Sequence, residues 1–167
     1  MYIRVKKVKG YEYAYLVANK WKKKGDIKGA RQKVRKYLGR VLDYKAESDI
    51  GFFEFMKAED SQKYLENNDY GQILKDLIEW EFNKRSIGED VLVYHNKGKV
   101  QKDGKNVCIR MNNGIFCGFT LKRLFEFDGK GSEPEVGKRL ARAFVEAGID
   151  VPQEVFVVLF EKVFEGE

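Results

Sequence analysis

The sequence is poor in proline, cysteine and histidine, and it has no long apolar run. Its 167 residues include two prolines, two cysteines and one histidine. Two cysteines do not make a disulfide framework, and a single histidine disfavours histidine-based catalysis. A membrane-spanning helix needs about 20 consecutive apolar residues, and no segment approaches that length. The charged N-terminus also lacks the apolar core of a signal peptide. We therefore expect a cytoplasmic protein that makes no membrane contact.

Motifs for cofactors and catalysis are also missing. The sequence contains no Walker loop, dinucleotide fingerprint, nucleophile elbow, zinc-binding histidine pair or Cys-x-x-Cys pair. It therefore predicts no cofactor, no metal site and no catalytic residue, and it favours a non-enzymatic protein. The carboxylates Glu54, Glu59, Asp60, Glu79 and Glu81 form no convincing metal or acid/base arrangement, and most of them are interpreted as parts of solvated helix faces. A small nuclease that uses scattered carboxylates is the enzymatic alternative.

The charge is distributed unevenly along the chain. Charged residues make up 35% of the sequence, with many lysines and glutamates, which is typical of thermophilic proteins. Residues 1–45 contain 15 basic and three acidic residues, whereas the remainder contains 17 basic and 23 acidic residues. The net charge of +6 therefore combines +12 over the first segment with −6 over the rest. This asymmetry indicates a basic module over residues 1–45 that binds a polyanion.

The basic segment has the pattern of an antiparallel sheet. Residues 2–8 and 11–18 alternate in character around Lys9-Gly10, which suits a two-residue hairpin turn. This turn pairs Val8 with Tyr11 and Tyr2 with Val17. Because side chains alternate between faces, one face interleaves tyrosines with basic residues, and the other is largely apolar. The interleaved face carries Tyr2, Arg4, Lys6, Tyr11, Tyr13 and Tyr15.

A third strand is predicted over residues 30–38, after turn residues 25–29. Strict alternation places Arg31, Lys33, Arg35 and Tyr37 on one face, and Gln32, Val34, Lys36 and Leu38 on the other. The expected module is a three-stranded sheet with one basic, tyrosine-interleaved face.

Such a face suits nucleic acid. Lysine and arginine neutralise phosphates, while tyrosine stacks on bases or donates a hydrogen bond to the backbone. The sequence predicts a non-enzymatic DNA-binding protein, with DNA favoured over RNA. The alternatives are an RNA or single-strand binding protein, or a protein-interaction module with an acidic helical body. The predicted contacts are Arg4, Lys6, Tyr11, Tyr13, Tyr15, Lys22, Lys23, Lys24, Arg31, Lys33, Arg35 and Tyr37.

A family resemblance supports the DNA expectation. The segment from YIRVKK through YEYAYLVANKWKKKGDIKGARQKVRKYLGRV resembles the N-terminal region of DDE insertion-sequence transposases. Those proteins begin with two strands, the second tyrosine-rich, then a basic turn and a strand ending in Lys-Tyr-Leu-Gly-Arg, here residues 36–40. The resemblance covers about the first 45 residues and implies DNA contact there. The rest does not look like the DDE nuclease core, so no catalytic residue is carried over.

The remaining residues predict an α+β body. Residues 46–87 are mainly helical in pattern, and strands are predicted over 91–94, 107–111 and 115–119. Asn112-Asn113-Gly114 is a hairpin signal that places Cys108 opposite or diagonal to Cys117, as free thiols or as a disulfide. The lysine-rich segment 97–105 is expected to be a flexible loop. The body, residues 46–167, is either a second domain or part of one compact domain with residues 1–45.

The C-terminal part predicts helices. Thr120 is expected to cap a short helix, and Ser132 to cap one that ends before Gly148. A last helix is predicted over residues 153–164, and its glutamates disfavour DNA recognition. The sequence predicts that this pair of helices packs on the core, forms a homodimer or contacts a protein partner.

Overall fold

The computed structural model describes residues 1–25 and 27–166, except for the side chains of residues 22–24, 27, 28 and 30. Within these residues the fold is α+β, as predicted. The strands are β1 (Tyr2–Val8), β2 (Tyr11–Lys24), β3 (Ile27–Asp43), β4 (Val91–Tyr94), β5 (Lys99–Lys102), β6 (Lys105–Met111) and β7 (Gly114–Phe116). The helices are α1 (Phe52–Phe55), α2 (Ser61–Asn67), α3 (Tyr70–Lys84), α4 (Gly118–Phe125), α5 (Glu133–Ala147) and α6 (Gln153–Val163).

The strands form one mixed sheet. Their order is β1-β2-β3-β6-β5-β4, and β7 also pairs with β6. The β3–β6 pair is parallel, and the other pairs are antiparallel. Since β3 belongs to the basic segment and β6 to the body, the sheet runs through both parts of the chain.

The predicted register of the first hairpin is confirmed. Val8 lies opposite Tyr11, and Tyr2 lies opposite Val17. Lys9 and Gly10 have φ values of 49° and 85°. Two successive residues in the left-handed region form the hairpin turn whose twist matches the strands.

The second hairpin is longer than predicted. β2 continues to Lys24 and β3 begins at Ile27, whereas the sequence pattern predicts strands over 11–18 and 30–38. Apart from Trp21 and Ile27, the residues added at this end of the two strands are polar or glycine, and the strands pair with each other up to Lys24 and Ile27. Residues 18–24 and 27–33 extend past the end of β1, and we call this two-stranded extension the arm.

The segment 97–105 is not the expected flexible loop. It contains β5, which pairs with β4 and β6. Asp103 and Gly104 form the two-residue turn between β5 and β6, with φ values of 52° and 73°. Asp-Gly is a strong hairpin signal, which the lysine-rich composition obscured.

The predicted first and last residues of α5 are confirmed, whereas the predicted cap of α4 is wrong. Ser132 caps α5, and Gly148 ends it in the left-handed conformation with φ of 70°. The expected cap Thr120 lies instead three residues inside α4, whose N-cap is Cys117. The Cys117 backbone N–H donates to the Thr120 hydroxyl over 3.0 Å.

Two apolar cores lie on opposite faces of the sheet. Val41 pairs with Cys108 and contributes to a small core, which also contains Ala14, Leu16, Leu38 and Cys117. The next pair, Leu42 and Ile109, joins a larger core beneath the helices. Successive residues alternate between the faces, so β3 and β6 contribute to both cores.

Glu81 is fully buried in the body, so it is not among the carboxylates that lie on solvated helix faces. Arg85 donates to its carboxylate, and Lys84 Nζ lies 3.3 Å from Glu81 Oε1. The side chain of Asn112 and the backbone N–H of Asp150 also donate to Oε1, over 3.1 and 2.9 Å. This buried carboxylate therefore joins the end of α3 to the β6–β7 turn and the α5–α6 connection.

Candidate nucleic-acid interface

One face of the N-terminal sheet combines tyrosines with basic residues. Directly paired residues on neighbouring strands share a face, so the pairs Arg4–Tyr15, Tyr15–Tyr37 and Tyr13–Arg40 place these side chains together. The opposite face is buried in the small core. We call the open surface the tyrosine face and define it as Tyr2, Arg4, Lys6, Tyr11, Tyr13, Tyr15, Tyr37 and Arg40.

A bulge in β3 brings Arg40 onto this face. Tyr37 and Arg40 are three positions apart, so unbroken alternation would place them on opposite faces. Ala14 pairs with Gly39 while Tyr15 pairs with Tyr37, so Leu38 is an extra residue on β3. Leu38 turns into the small core, and Tyr37 and Arg40 both remain on the tyrosine face. Arg40 is therefore a candidate contact that strict alternation missed.

Gly39 is required at this bulge for two reasons. Its φ of 141° lies in a region that side-chain-bearing residues rarely adopt. A Cβ at this position would also lie 2.5 Å from the backbone oxygen of Asn106. The Tyr-Leu-Gly-Arg sequence therefore encodes the bulge and its close approach to the N-terminal part of β6.

Basic groups lie over the tyrosine rings. The Arg40 guanidinium lies 4.2 Å from the centre of the Tyr11 ring, and Lys6 Nζ lies 5.4 Å from the centre of the Tyr15 ring. The Tyr37 ring contacts those of Tyr15 and Tyr13, with centres 5.4 and 6.4 Å apart. Partial burial raises the pKa of Tyr37, and the neighbouring Tyr15 and Tyr13 raise it further.

Polar contacts fix the part of the tyrosine face next to the arm. Arg4 donates to the side-chain oxygen of Gln32, and the Gln32 amide donates to the Tyr2 hydroxyl. The Tyr2 hydroxyl lies 3.3 Å from its acceptor, Asn19 Oδ1. Gln32 therefore lies on the tyrosine face, whereas alternation assigned it to the other face.

The expectation that Arg31, Lys33, Arg35 and Tyr37 share one face is wrong. Lys36 pairs with Leu16 and Val34 with Val17, so Arg35 is an extra residue and a second bulge reverses the alternation. Tyr37 stays on the tyrosine face. Arg31 and Lys33 pair with Lys20 and Ala18 and lie on the opposite face of the arm.

The arm adds a tryptophan that the predicted contacts omit. Asn19 and Trp21 continue the odd-numbered alternation of β2 beyond Tyr15 and Val17, so Trp21 lies on the side of the tyrosine face. Its side chain is 79% exposed, which is unusual for so large an apolar group. Extending the predicted β2 strand would have found it. The predicted contacts Lys22, Lys23 and Lys24 have side chains outside the described residues.

No family model, curated protein or solved structure matches the chain. Among the described residues, no helix is long and apolar enough to cross a membrane. In the same part of the chain, no cluster of three or more His, Cys, Asp or Glu residues is placed to hold a metal ion.

Two free thiols lie in the small core behind the tyrosine face. Cys108 and Cys117 are both fully buried. The hydrogen bond with the Cys108 thiol lowers the pKa of Cys117, with help from Thr120 and the backbone of Phe119, and against the effect of burial. The pKa of Cys108 is raised by its hydrogen bond with Cys117 and by burial. Their burial makes them part of the support of the sheet rather than an exposed reactive site.

Proposed function

We propose that the protein is a non-enzymatic DNA-binding protein that contacts the phosphate backbone through the tyrosine face. The observation that carries this proposal is the placement of Arg40 and Lys6 over tyrosine rings on an open sheet face. A cation over a ring is held in place while its outer side remains available to a phosphate. The phenol groups beside it donate to phosphate oxygens.

The same geometry favours duplex DNA over stacking on unpaired bases. The rings of Tyr11 and Tyr15 already have a cation over them, and Tyr13, Tyr15 and Tyr37 contact one another. Those rings offer less free area to a base than an isolated aromatic side chain does. A face two or three strands wide also fits the major groove of a duplex. The transposase resemblance of residues 1–45 agrees with this proposal.

The test is the affinity of the full chain for a labelled duplex of about 20 base pairs, measured by fluorescence anisotropy at low salt. The variant Lys6→Ala with Arg40→Ala should weaken binding about tenfold or more, because it removes two charges that contact phosphate. The matched control is Lys63→Ala with Lys138→Ala, which removes two exposed charges from α2 and α5. Equal loss in both variants would contradict a specific role for the tyrosine face.

Single-strand binding is a second candidate, and the exposed Trp21 favours it. Base stacking on an aromatic side chain contributes about 1–3 kcal/mol per base. Trp80, the other tryptophan, is 7% exposed and donates from Nε1 to the Ile50 carbonyl over 2.8 Å. A fluorescence change on binding would therefore report on Trp21.

If Trp21 stacks, a single-stranded oligonucleotide should quench the tryptophan emission more strongly than the duplex does. Trp21→Phe should abolish the quenching, whereas Trp80 stays shielded in both proteins. Equal quenching before and after the substitution would contradict stacking on the arm.

The cytoplasmic location, the RNA alternative and the contact of the C-terminal helices with a second copy or a protein partner remain predictions.

A further inference from the structure

A second basic site lies at the edge of β3, outside the tyrosine face. A cavity of about 440 Å³ is formed where β3 runs past the end of β6. It lies between β3, the β4–β5 connection and the start of α4. We call it the lysine notch, after the lysines that line it, which are Lys36, Lys97, Lys99 and Lys122.

Close backbone contacts hold the walls of the lysine notch together. A Cβ at Gly118, the first residue of α4, would lie 2.4 Å from the Gly98 oxygen. Gly98 itself has φ of 56°, and a Cβ there would lie 3.1 Å from Lys122 Cβ. At the neighbouring β3–β6 junction, Gly39 makes the similarly close approach to Asn106. The notch is therefore a preformed feature of the fold, set by backbone packing at three glycines.

The charge of the lysine notch is of one sign. Four lysines line it, and none of its lining residues carries a carboxylate. Lys122 has a 3.8 Å contact with Glu126, but both side chains are more than 60% exposed, so this pair contributes little. Lysine is a mobile point charge on a long stem, and several such charges can turn towards one shared anion.

We propose that the lysine notch binds a group of two adjacent phosphates. Four positive charges around one cavity match such an anion, and the volume falls in the range of small-ligand sites. The phosphates come either from a small diphosphate-containing molecule or from consecutive positions of a nucleic-acid strand. The second source rests on the proposed function: Lys36 neighbours Tyr37 of the tyrosine face, so a bound strand can cross the edge of β3 into the notch.

The first arm of the test uses inorganic pyrophosphate as the probe, titrated into the full chain by calorimetry at low salt. Binding is expected, and Lys97→Ala with Lys99→Ala should weaken it about tenfold or more. The control, Lys63→Ala with Lys138→Ala, should bind within about twofold of the original protein. Thermal unfolding of each variant shows whether its fold is kept, and the single substitution Lys36→Ala gives an independent second variant of the notch.

The second arm measures duplex binding with the same variants. If the notch variants weaken pyrophosphate but not duplex, the site takes a small phosphorylated ligand; if they weaken duplex binding, the nucleic-acid strand enters the notch. If they change neither affinity, the inference is overturned. The Lys6→Ala, Arg40→Ala variant separates the two proposals, because it reports on the tyrosine face without altering the lysine notch. Loss of duplex binding in that variant, with both the pyrophosphate and the duplex affinity unchanged in the notch variants, would leave the proposed function standing and refute the notch.

Discussion

At the residue scale, a single buried carboxylate organises the connections of the body. Glu81 has no solvent exposure, and both its oxygens are engaged by Arg85, Lys84, Asn112 and the Asp150 backbone. Asn112 also donates to the Gly148 carbonyl over 2.9 Å. A buried charge is tolerated only when it is paired and hydrogen-bonded, so this arrangement depends on the carboxylate.

Replacing Glu81 with glutamine should destabilise the fold. The substitution keeps the size of the side chain but leaves Arg85 and Lys84 buried without a counter-charge, which costs about 3–5 kcal/mol. Urea unfolding measures the change in the free energy of unfolding. Glu79→Gln is the matched control on an exposed position of the same helix, and it should change that free energy by less than about 0.5 kcal/mol. Similar losses in both variants would contradict the structural role assigned to Glu81.

Helical periodicity predicts that Glu81 lies close to the apolar stripe of α3, with Leu77 and Ile78. It does not predict that Arg85, Asn112 and Asp150 converge on it. Those partners come from different elements, and their meeting depends on tertiary packing. The position of this glutamate in an apolar stripe is typical of a buried residue. Because glutamates are usually exposed to solvent, the sequence alone did not establish its burial.

At the element scale, the two bulges of β3 decide which residues share the tyrosine face. The first bulge, at Leu38, places Arg40 beside Tyr13, and the second, at Arg35, moves Arg31 and Lys33 to the other side of the arm. The first-hairpin register was predictable because a two-residue turn leaves one pairing that keeps the apolar face intact. Bulges add a residue to one strand only, so alternation could not locate them.

The variant Gly39→Ala should destabilise the β3–β6 junction. Alanine would have to adopt a φ of 141° and would place its Cβ 2.5 Å from the Asn106 oxygen. We expect a loss of at least about 2 kcal/mol, measured by urea unfolding, because both backbone strain and a steric clash are introduced. Gly29→Ala on the same strand is the control, since a Cβ there has open space. An unaffected Gly39→Ala protein would contradict the bulge as a requirement of the fold.

At the scale of the whole molecule, the sheet joins the basic segment to the acidic body. The tyrosine face is open, while its reverse side is buried against residues of both parts, including Cys108 and Cys117. The overall charge of +6 conceals this arrangement, because +12 lies in the first 45 residues. Basic residues of this segment lie on the tyrosine face, as Arg4, Lys6 and Arg40 do, and on the opposite side of the arm, as Arg31 and Lys33 do, whereas the rest of the chain carries a net charge of −6.

DNA binding through the tyrosine face is tested most directly by the duplex affinity of the full chain across a series of salt concentrations. Each phosphate contact lowers the slope of log K against log salt by about 0.9. The slope should be steeply negative, and its magnitude should fall by about 1.8, the value for two phosphate contacts, in the Lys6→Ala, Arg40→Ala variant. The Lys63→Ala, Lys138→Ala control should keep the original slope. An affinity that does not change with salt, or no duplex binding at low salt, would contradict DNA binding through the tyrosine face.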